Sequence, residues 1–169
     1  MSVAVRAAGL VCATKHTRVL DVGSGIGKMC AIGALSAAGT WVGVEQHGSL
    51  VNTATELARL LGVADRTHFL HADAFAVDWN EYDALYFYNP FELTVFGEGS
   101  LPSQSIQAAH AQQRLAALPN CTRVVTFHGF GGVMPATFDL LYHERTAPLG
   151  LSLALWIQRT SRASTSATA

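Results

Sequence analysis

A glycine-rich segment, DVGSGIG at residues 21–27, has the clearest potential for binding chemistry. It lies between the apolar run RVLDV at residues 18–22 and an Ala-, Leu- and Ile-rich segment that starts at Lys28. Glycine permits positive φ angles and lets a ligand approach the main chain closely. A helix that starts after this turn would add unpaired N–H groups and the positive end of its dipole. The segment therefore predicts a ligand-binding turn between a strand and a helix, with a purely structural turn as the alternative.

Two familiar nucleotide-binding loops do not fit this segment. A P-loop that ended at residues 27–28 would need a glycine where Val22 stands, and Ser or Thr where Met29 stands. The nicotinamide fingerprint needs Gly or Ala at its sixth position. Counted from Gly23 that position is Lys28, and counted from the next glycine it is Cys30. What remains is an acid-x-Gly-x-Gly-x-Gly pattern.

Polar side chains also follow the next three predicted strands. Glu45 follows WVGV at residues 41–44, Asp73 comes shortly after THFL at 67–70, and Asn89 follows DALYFY at 83–88. Each acid taken alone would be an ordinary loop residue or helix cap. Together with the glycine turn, they predict a ligand site where the central strands end.

The order of the segments predicts the scaffold that positions these residues. Strands and helices alternate along most of the chain, which is typical of a parallel sheet with helices on both faces. Two β-rich runs at the end, joined by a turn around residues 148–150, predict an antiparallel pair. The fold class is therefore α/β, a Rossmann-like, mostly parallel seven-stranded sheet with a C-terminal antiparallel strand pair. Strands are predicted at 18–22, 41–44, 67–70, 83–88, 123–127, 137–144 and 151–158, and helices at 2–14, 28–38, 50–61 and 104–118.

Composition limits the classes of partner. The 169 residues are expected to form one domain over 1–160 and a disordered tail over 161–169. The formal net charge of −1 and the scattered basic residues argue against extended nucleic-acid binding. Three cysteines without a CxxC spacing predict free thiols in a reducing cytoplasm, and no run approaches the ~20 apolar residues of a membrane span. The histidines show no metal-ligand spacing, so no metal site is expected.

The acid-x-Gly-x-Gly-x-Gly pattern, in its place between a strand and a helix, resembles that of the class I methyltransferases. The resemblance extends through most of residues 18–92 and implies S-adenosyl-L-methionine (SAM) as the cofactor. It implies that Glu45 holds both ribose hydroxyls and that Asp73 contacts the adenine amino group. Gln46 and Ala74 would flank the nucleoside. Asp21 would either bind the methionine end of the cofactor or orient the loop.

The resemblance thus gives a set of expected cofactor-binding residues. These are Asp21, Gly23, Ser24, Gly25, Gly27, Glu45, Gln46, Asp73, Ala74 and Asn89.

Residues 88–91, Tyr-Asn-Pro-Phe, end the fourth predicted strand beside the expected methyl donor. Asn89 and Phe91 are the predicted catalytic residues, Asn89 accepting a hydrogen bond from an attacking amine and Phe91 packing on the substrate. The segment resembles the Asn-Pro-Pro-aromatic motif of amino-directed methyltransferases, but the second proline is missing and Glu92 stands in place of the aromatic residue. It also resembles the Asn-x-Phe pattern of non-SET lysine methyltransferases. A plain strand terminator is the alternative.

The resemblance implies a methyltransferase whose acceptor is a nitrogen of a small molecule or of a protein side chain. With about 17 residues before the first strand, the acceptor pocket is expected to be open, suited to a protein side chain or completed by another subunit, as in a homo-oligomer. The loop GFGGVMP at 129–135 would act as a small lid or as a plain connection. Two other functions remain open: a SAM-binding regulator or subunit without catalysis, and a Rossmann-fold oxidoreductase.

Overall fold

The computed structural model describes residues 2–91, 101–146 and 150–159, and for residues 101–103 it describes the backbone alone. The predicted tail at 161–169 and Glu92 lie outside these ranges. The described strands are β1 (Arg18–Val22), β2 (Thr40–Glu45), β3 (Thr67–His71), β4 (Ala84–Phe87), β5 (Arg123–Phe127), β6 (Phe138–Thr146) and β7 (Leu151–Gln158). The described helices are α1 (Val3–Val11), α2 (Lys28–Ser36), α3 (Gly48–Leu60) and α4 (Leu101–Ala116).

The strands form one sheet in the order β3-β2-β1-β4-β5-β7-β6. Strands β1 to β5 pair in parallel, and β7 runs antiparallel between β5 and β6. The predicted fold class is therefore confirmed. The chain leaves β1 on one side towards β2 and returns on the other side at β4, so the carboxyl ends of β1 and β4 flank the switch point where such sheets bind ligands.

Each face of the sheet has its own core. On one face, Val19, Tyr86 and Val125 pack against α1, α2 and α3. On the other face, Leu20, Phe87 and neighbouring side chains pack against α4, Trp79 and the residues that follow β5. Successive residues of a strand point to opposite faces, and for this reason β1 and β4 are apolar throughout except for Arg18 at the exposed start of β1 and Asp21.

Most predicted boundaries agree with the structure to within a few residues. Helix α4 begins at Leu101, three residues before the predicted start, because Pro102 is tolerated in the first turn of a helix. Two 3₁₀ turns, Ala74–Ala76 and Trp79–Glu81, fill the connection from β3 to β4. The side chains of Asp73 and Asp78 cap these turns by accepting backbone N–H groups.

Helix α2 approaches β2 very closely at Gly33. A Cβ atom on Gly33 would lie 2.3 Å from the ring of Trp41, which is fully buried. Only glycine fits here, so this contact fixes the distance of α2, and of the turn before it, from the sheet. In the described part of the chain, no helix is both long and apolar enough to cross a membrane.

Candidate functional site

The glycine turn joins β1 to α2 at the carboxyl edge of the sheet. Gly23, Gly25 and Gly27 have φ angles of 74°, 54° and 73°, all in the left-handed region that favours glycine. The backbone N–H groups of Gly23 and Ser24 both donate to the carbonyl oxygen of Val44, each at 3.0 Å. The turn is therefore held against the end of β2.

The three glycines face different surroundings. A Cβ on Gly23 would lie 2.7 Å from Cβ of Pro90, and one on Gly27 would lie 2.6 Å from the ring of Phe69. A Cβ on Gly25 would meet no atom of the described residues within 4 Å. The two outer glycines thus allow close packing within the protein. The middle glycine leaves open space at the point where a ligand would approach the main chain.

Glu45 ends β2 and closes one side of this turn. Its side chain is only 8% exposed. One carboxylate oxygen, Oε2, accepts the N–H of Gly25 at 3.0 Å, and the other, Oε1, accepts the N–H of His47 at 2.9 Å. Each oxygen has a second lone-pair site, so the carboxylate can accept further hydrogen bonds from a diol. The structure brings Glu45 and the glycine turn together, as the sequence analysis predicts.

Asp21 lies in the core rather than on the surface of the site. It is 4% exposed, and the thiol Sγ of Cys30 donates to its Oδ2 over 3.5 Å. Burial raises the pKa of Asp21 from 3.8 to about 7; the hydrogen bond from Cys30 opposes this shift and the charge of Glu45 adds to it. Of the two roles predicted for Asp21, this position favours orientation of the loop.

Gln46, Asp73 and Ala74 lie along the same edge. The N–H of Ala72 donates to the carbonyl oxygen of Glu45 at 3.1 Å, which brings the segment after β3 beside the end of β2. Asp73 is exposed, and its Oδ1 accepts the N–H of Phe75 at 2.8 Å. Gln46 is also exposed. Contacts of these residues with an adenine ring stay predictions.

Asn89 and Pro90 complete the site on the β4 side. Asn89 has a φ of 41°, and its N–H donates to the carbonyl oxygen of Gly129 at 2.9 Å. Asn tolerates this left-handed conformation better than most residues. Pro90 packs against Gly23, so the glycine turn and the Asn-Pro segment touch directly.

Phe91 has a less accessible position than its predicted role in substrate contact implies. Its side chain is 9% exposed and belongs to the core on the α4 face. Its ring stacks on Phe75 with centroids 5.4 Å apart, and Phe75 stacks in turn on His110 at 4.2 Å. The structure thus gives Phe91 a packing role beneath the site, and direct contact with a substrate stays a prediction.

An aromatic pair beside Asn89 was not identified from the sequence. Tyr88 is 56% exposed, and its ring stacks on that of Phe127 with centroids 5.2 Å apart and planes 20° apart. The register pairs Phe87 with Thr126, so the residues that follow are neighbours at the ends of β4 and β5. The sequence does place an aromatic residue at the end of each of these two successive strands. Only the pairing register, however, shows that the two rings are neighbours.

The loop after β5 is fixed at both ends. Gly129 accepts the hydrogen bond from Asn89, while the ring of Phe130 and Pro135 are buried. Between them, Val133 is 73% exposed. These contacts favour a connecting loop that borders the site over a lid that moves as a unit.

Comparison with known proteins relates this geometry to solved structures. An RNA methyltransferase from Salinibacter ruber, solved with S-adenosyl-L-homocysteine, is 22% identical and superposes with a TM-score of 0.71 over 96% of this chain and 94% of its own. The [4+2]-cyclase SpnF is 15% identical, with a TM-score of 0.67 over 93% of this chain and 80% of its own. The chain therefore has the fold of the class I SAM-dependent methyltransferases, as its glycine motif predicts.

Sequence similarity to a curated protein covers a shorter part of the chain than these structural superpositions do. The Escherichia coli K12 protein YjhP is 38% identical over 65 residues, which cover 38% of this chain and 26% of that protein. The match thus spans about a quarter of the length of this curated relative. No protein-family model matches the chain.

Proposed function

We propose that this chain is a SAM-dependent methyltransferase that transfers a methyl group to a nitrogen of a small molecule or of a protein side chain. The observation that carries the proposal is the contact between the glycine turn and the carboxylate of Glu45. This contact places the main chain that a ligand can approach beside a carboxylate that can accept hydrogen bonds from a ribose diol.

The residues present fit this cofactor. The open space over Gly25 would admit the ligand against the main chain, because no described atom lies within 4 Å of its missing Cβ. Glu45 would hold the ribose hydroxyls with the lone pairs that Gly25 and His47 leave unused. Asp73, Gln46 and Ala74 would border the adenine ring. In this assignment, Asp21 stabilises the turn from its buried position in β1.

The chemistry needs alignment more than acid–base catalysis. When bound, SAM supplies a methyl group on a positively charged sulfur, and the methyl passes to a nitrogen lone pair while the C–S bonding electrons remain on sulfur. The protein aligns the acceptor with this carbon, and alignment at about 3–3.5 Å captures much of the available acceleration. Asn89, next to Pro90 and the glycine turn, would accept a hydrogen bond from an acceptor N–H and so direct its lone pair.

The cellular setting is part of the proposal. Cys12, Cys30 and Cys121 form no disulfide with one another. This agrees with a protein of the reducing cytoplasm. The acceptor would be a small molecule or a protein rather than an extended nucleic acid, because the net charge is −1. A second subunit could complete the acceptor side.

Calorimetric titration tests the cofactor assignment. SAM and S-adenosylhomocysteine should bind with micromolar affinity, and NADH should not bind. The Glu45→Ala variant should lose at least about tenfold in affinity, because a charge-assisted hydrogen bond contributes about 1.5–3 kcal/mol. Glu56→Ala is the matched control, since Glu56 is an exposed residue of α3 paired with Arg59. Unchanged affinity in folded Glu45→Ala would contradict the role of Glu45.

Turnover needs a separate measurement. Transfer of a radiolabelled methyl group to a panel of amines, amides and heterocycles should detect at least one acceptor. Tight adenosyl-ligand binding without transfer to any acceptor would instead support a SAM-binding regulator or subunit. Binding of NADH in preference to the adenosyl ligands would support an oxidoreductase.

A further inference from the structure

The stacked pair of Tyr88 and Phe127 forms an aromatic surface beside the candidate site. More than half of the Tyr88 surface is exposed, although its ring rests on Phe127 at 5.2 Å. A large aromatic side chain held in place by a second ring, with its remaining surface open, offers a rigid platform on which a planar ligand can stack.

The platform lies next to the position at which methyl transfer would occur. Tyr88 immediately precedes Asn89, and Pro90 packs against Gly23 of the glycine turn. Asn89 is also tied to Gly129, at the start of the loop that follows Phe127 and His128. Platform, Asn89 and glycine turn therefore form one continuous edge of the sheet.

This part of the edge is uncharged apart from a histidine. Residues 88–91 and 127–135 contain no Asp, Glu, Lys or Arg. Elsewhere in the described ranges Lys15, Lys28 and Arg145 are exposed, while seven arginines are engaged with carboxylates or backbone carbonyls. They are Arg6, Arg18, Arg59, Arg66, Arg114, Arg123 and Arg159.

We propose that Tyr88 and Phe127 stack on the acceptor, and that the acceptor is a neutral, planar nitrogen heterocycle presented as a free small molecule. This inference rests on the proposed methyltransferase function and names the substrate class of the same site. A nucleic acid would need cations for its phosphates. Residues 88–91 and 127–135, which carry the platform and the segments beside it, supply none.

A ring nitrogen is also chemically ready for methyl transfer. Because this nitrogen carries no N–H, Asn89 would border the acceptor without accepting a hydrogen bond from it. The nitrogen holds an available lone pair and has no proton to lose. The lone pair forms the new N–C bond as the C–S bond breaks, the C–S electrons stay on sulfur, and the positive charge passes to the N-methyl product. A lysine ammonium would first have to lose a proton, because its pKa is about 10.4. A ring-nitrogen acceptor therefore requires no catalytic base.

Ligand-observed NMR can test the platform with three probes. Quinoline is planar and has a ring nitrogen, decahydroquinoline is its saturated and protonated counterpart, and a single-stranded RNA of twelve nucleotides tests the nucleic-acid alternative. Each probe is titrated at pH 8 with and without saturating S-adenosylhomocysteine. Quinoline should bind more tightly than either of the other probes.

Substitutions then assign the binding to Tyr88. Tyr88→Leu should weaken quinoline binding by about 3- to 10-fold, in line with the energy of an aromatic pair. Tyr88→Phe should stay within about twofold of the wild type, because it keeps the ring. Leu60→Ala, which removes an exposed apolar side chain on α3, is the control and should have no effect. If Tyr88→Leu does not fold, Phe127→Leu replaces it with the same expectation.

The outcomes separate this inference from the proposed function. Equal quinoline affinity in wild type and folded Tyr88→Leu would overturn the platform, and so would tighter binding of decahydroquinoline or of the RNA. Failure of S-adenosylhomocysteine to bind would overturn the cofactor assignment alone, since the quinoline titration without it still decides whether the platform binds planar rings.

Discussion

The backbone N–H of Gly25 donates a 3.0 Å hydrogen bond to Oε2 of Glu45, across the 20 residues that separate them in sequence. This bond joins the turn after β1 to the end of β2, while the other oxygen of Glu45 accepts the N–H of His47. A single buried carboxylate thus fixes two main-chain segments at the edge where a ligand would bind.

This arrangement predicts that Glu45→Gln destabilises the protein even without ligand. An amide has only one oxygen, so its NH₂ group would face one of the two N–H donors. We expect a loss of about 1–3 kcal/mol in the free energy of unfolding, measured by urea denaturation. Glu56→Gln, at an exposed ion pair on α3, should leave stability almost unchanged. Equal effects of the two substitutions would refute this role for Glu45.

The glycines of the turn should separate stability from binding. Gly27→Ala places a Cβ against Phe69 and Ala54 and adds backbone strain, so it should destabilise by more than about 2 kcal/mol. Gly25→Ala adds only the strain of its positive φ, about 1–2 kcal/mol, but fills the space proposed for the cofactor. Thermal unfolding and calorimetry with S-adenosylhomocysteine check both. For each kcal/mol lost in the free energy of unfolding, Gly25→Ala should lose more affinity for S-adenosylhomocysteine than Gly27→Ala does. A larger relative loss of affinity in Gly27→Ala would contradict the proposed ligand position.

Asp21 should make stability depend on pH near neutrality. Its folded-state pKa of about 7 exceeds the ordinary value of 3.8, so between these values the folded protein binds more protons than the unfolded chain. Stability attributable to Asp21 is therefore full at pH below about 4 and is lost as the pH rises to about 7. The whole loss is roughly 1–4 kcal/mol.

The Asp21→Asn variant isolates this effect. It should be more stable than the wild type at pH 8, and the difference between the two should shrink as the pH falls towards 5. Urea denaturation at a series of pH values gives the comparison, and the histidines, common to both proteins, cancel in the difference. A constant difference across this range would mean that Asp21 does not titrate there.

The contact between Gly33 and Trp41 predicts a packing defect on substitution. Gly33→Ala would place a methyl group 2.3 Å from the indole ring, and the required shift of α2 should cost about 1–3 kcal/mol. Gly9→Ala in α1 is the control, because its Cβ would meet no atom within 4 Å in the described ranges, and it should be neutral or slightly stabilising. Thermal unfolding of both variants checks this expectation. Equal melting temperatures of Gly33→Ala and Gly9→Ala would contradict it.

The sheet was predictable because its strands are short buried runs closed by turn residues. Residues 18–22 and 123–127 were predicted with the bounds that β1 and β5 have. Glycine also indicated the end of α3, where Gly62 adopts a φ of 68°. The start of α4 was missed, because a proline early in a helix gives the same sequence signal as a loop.

The positions of the candidate site along one edge of the sheet were predictable, but the contacts between its residues were not. The motif located Glu45 and the glycine turn, and the structure adds the hydrogen bond that joins them. The burial of Asp21 beside Cys30 depends on how α2 lies on the sheet, which sequence patterns do not encode. The stacking of Tyr88 on Phe127 depends on the register of β4 with β5. Side-chain surroundings of this kind are properties of packing rather than of spacing.

The carbonyl oxygen of Val44, which accepts two successive N–H groups of the glycine turn, has a consequence for the kinetics of ligand entry. The turn is already held in its bent conformation, and its middle residue faces open space. A ligand would meet a turn that already has its binding conformation, so the turn adds little ordering entropy against the encounter. Association should therefore follow a single exponential whose rate rises linearly with ligand concentration, without the plateau that a slow rearrangement of the loop would impose.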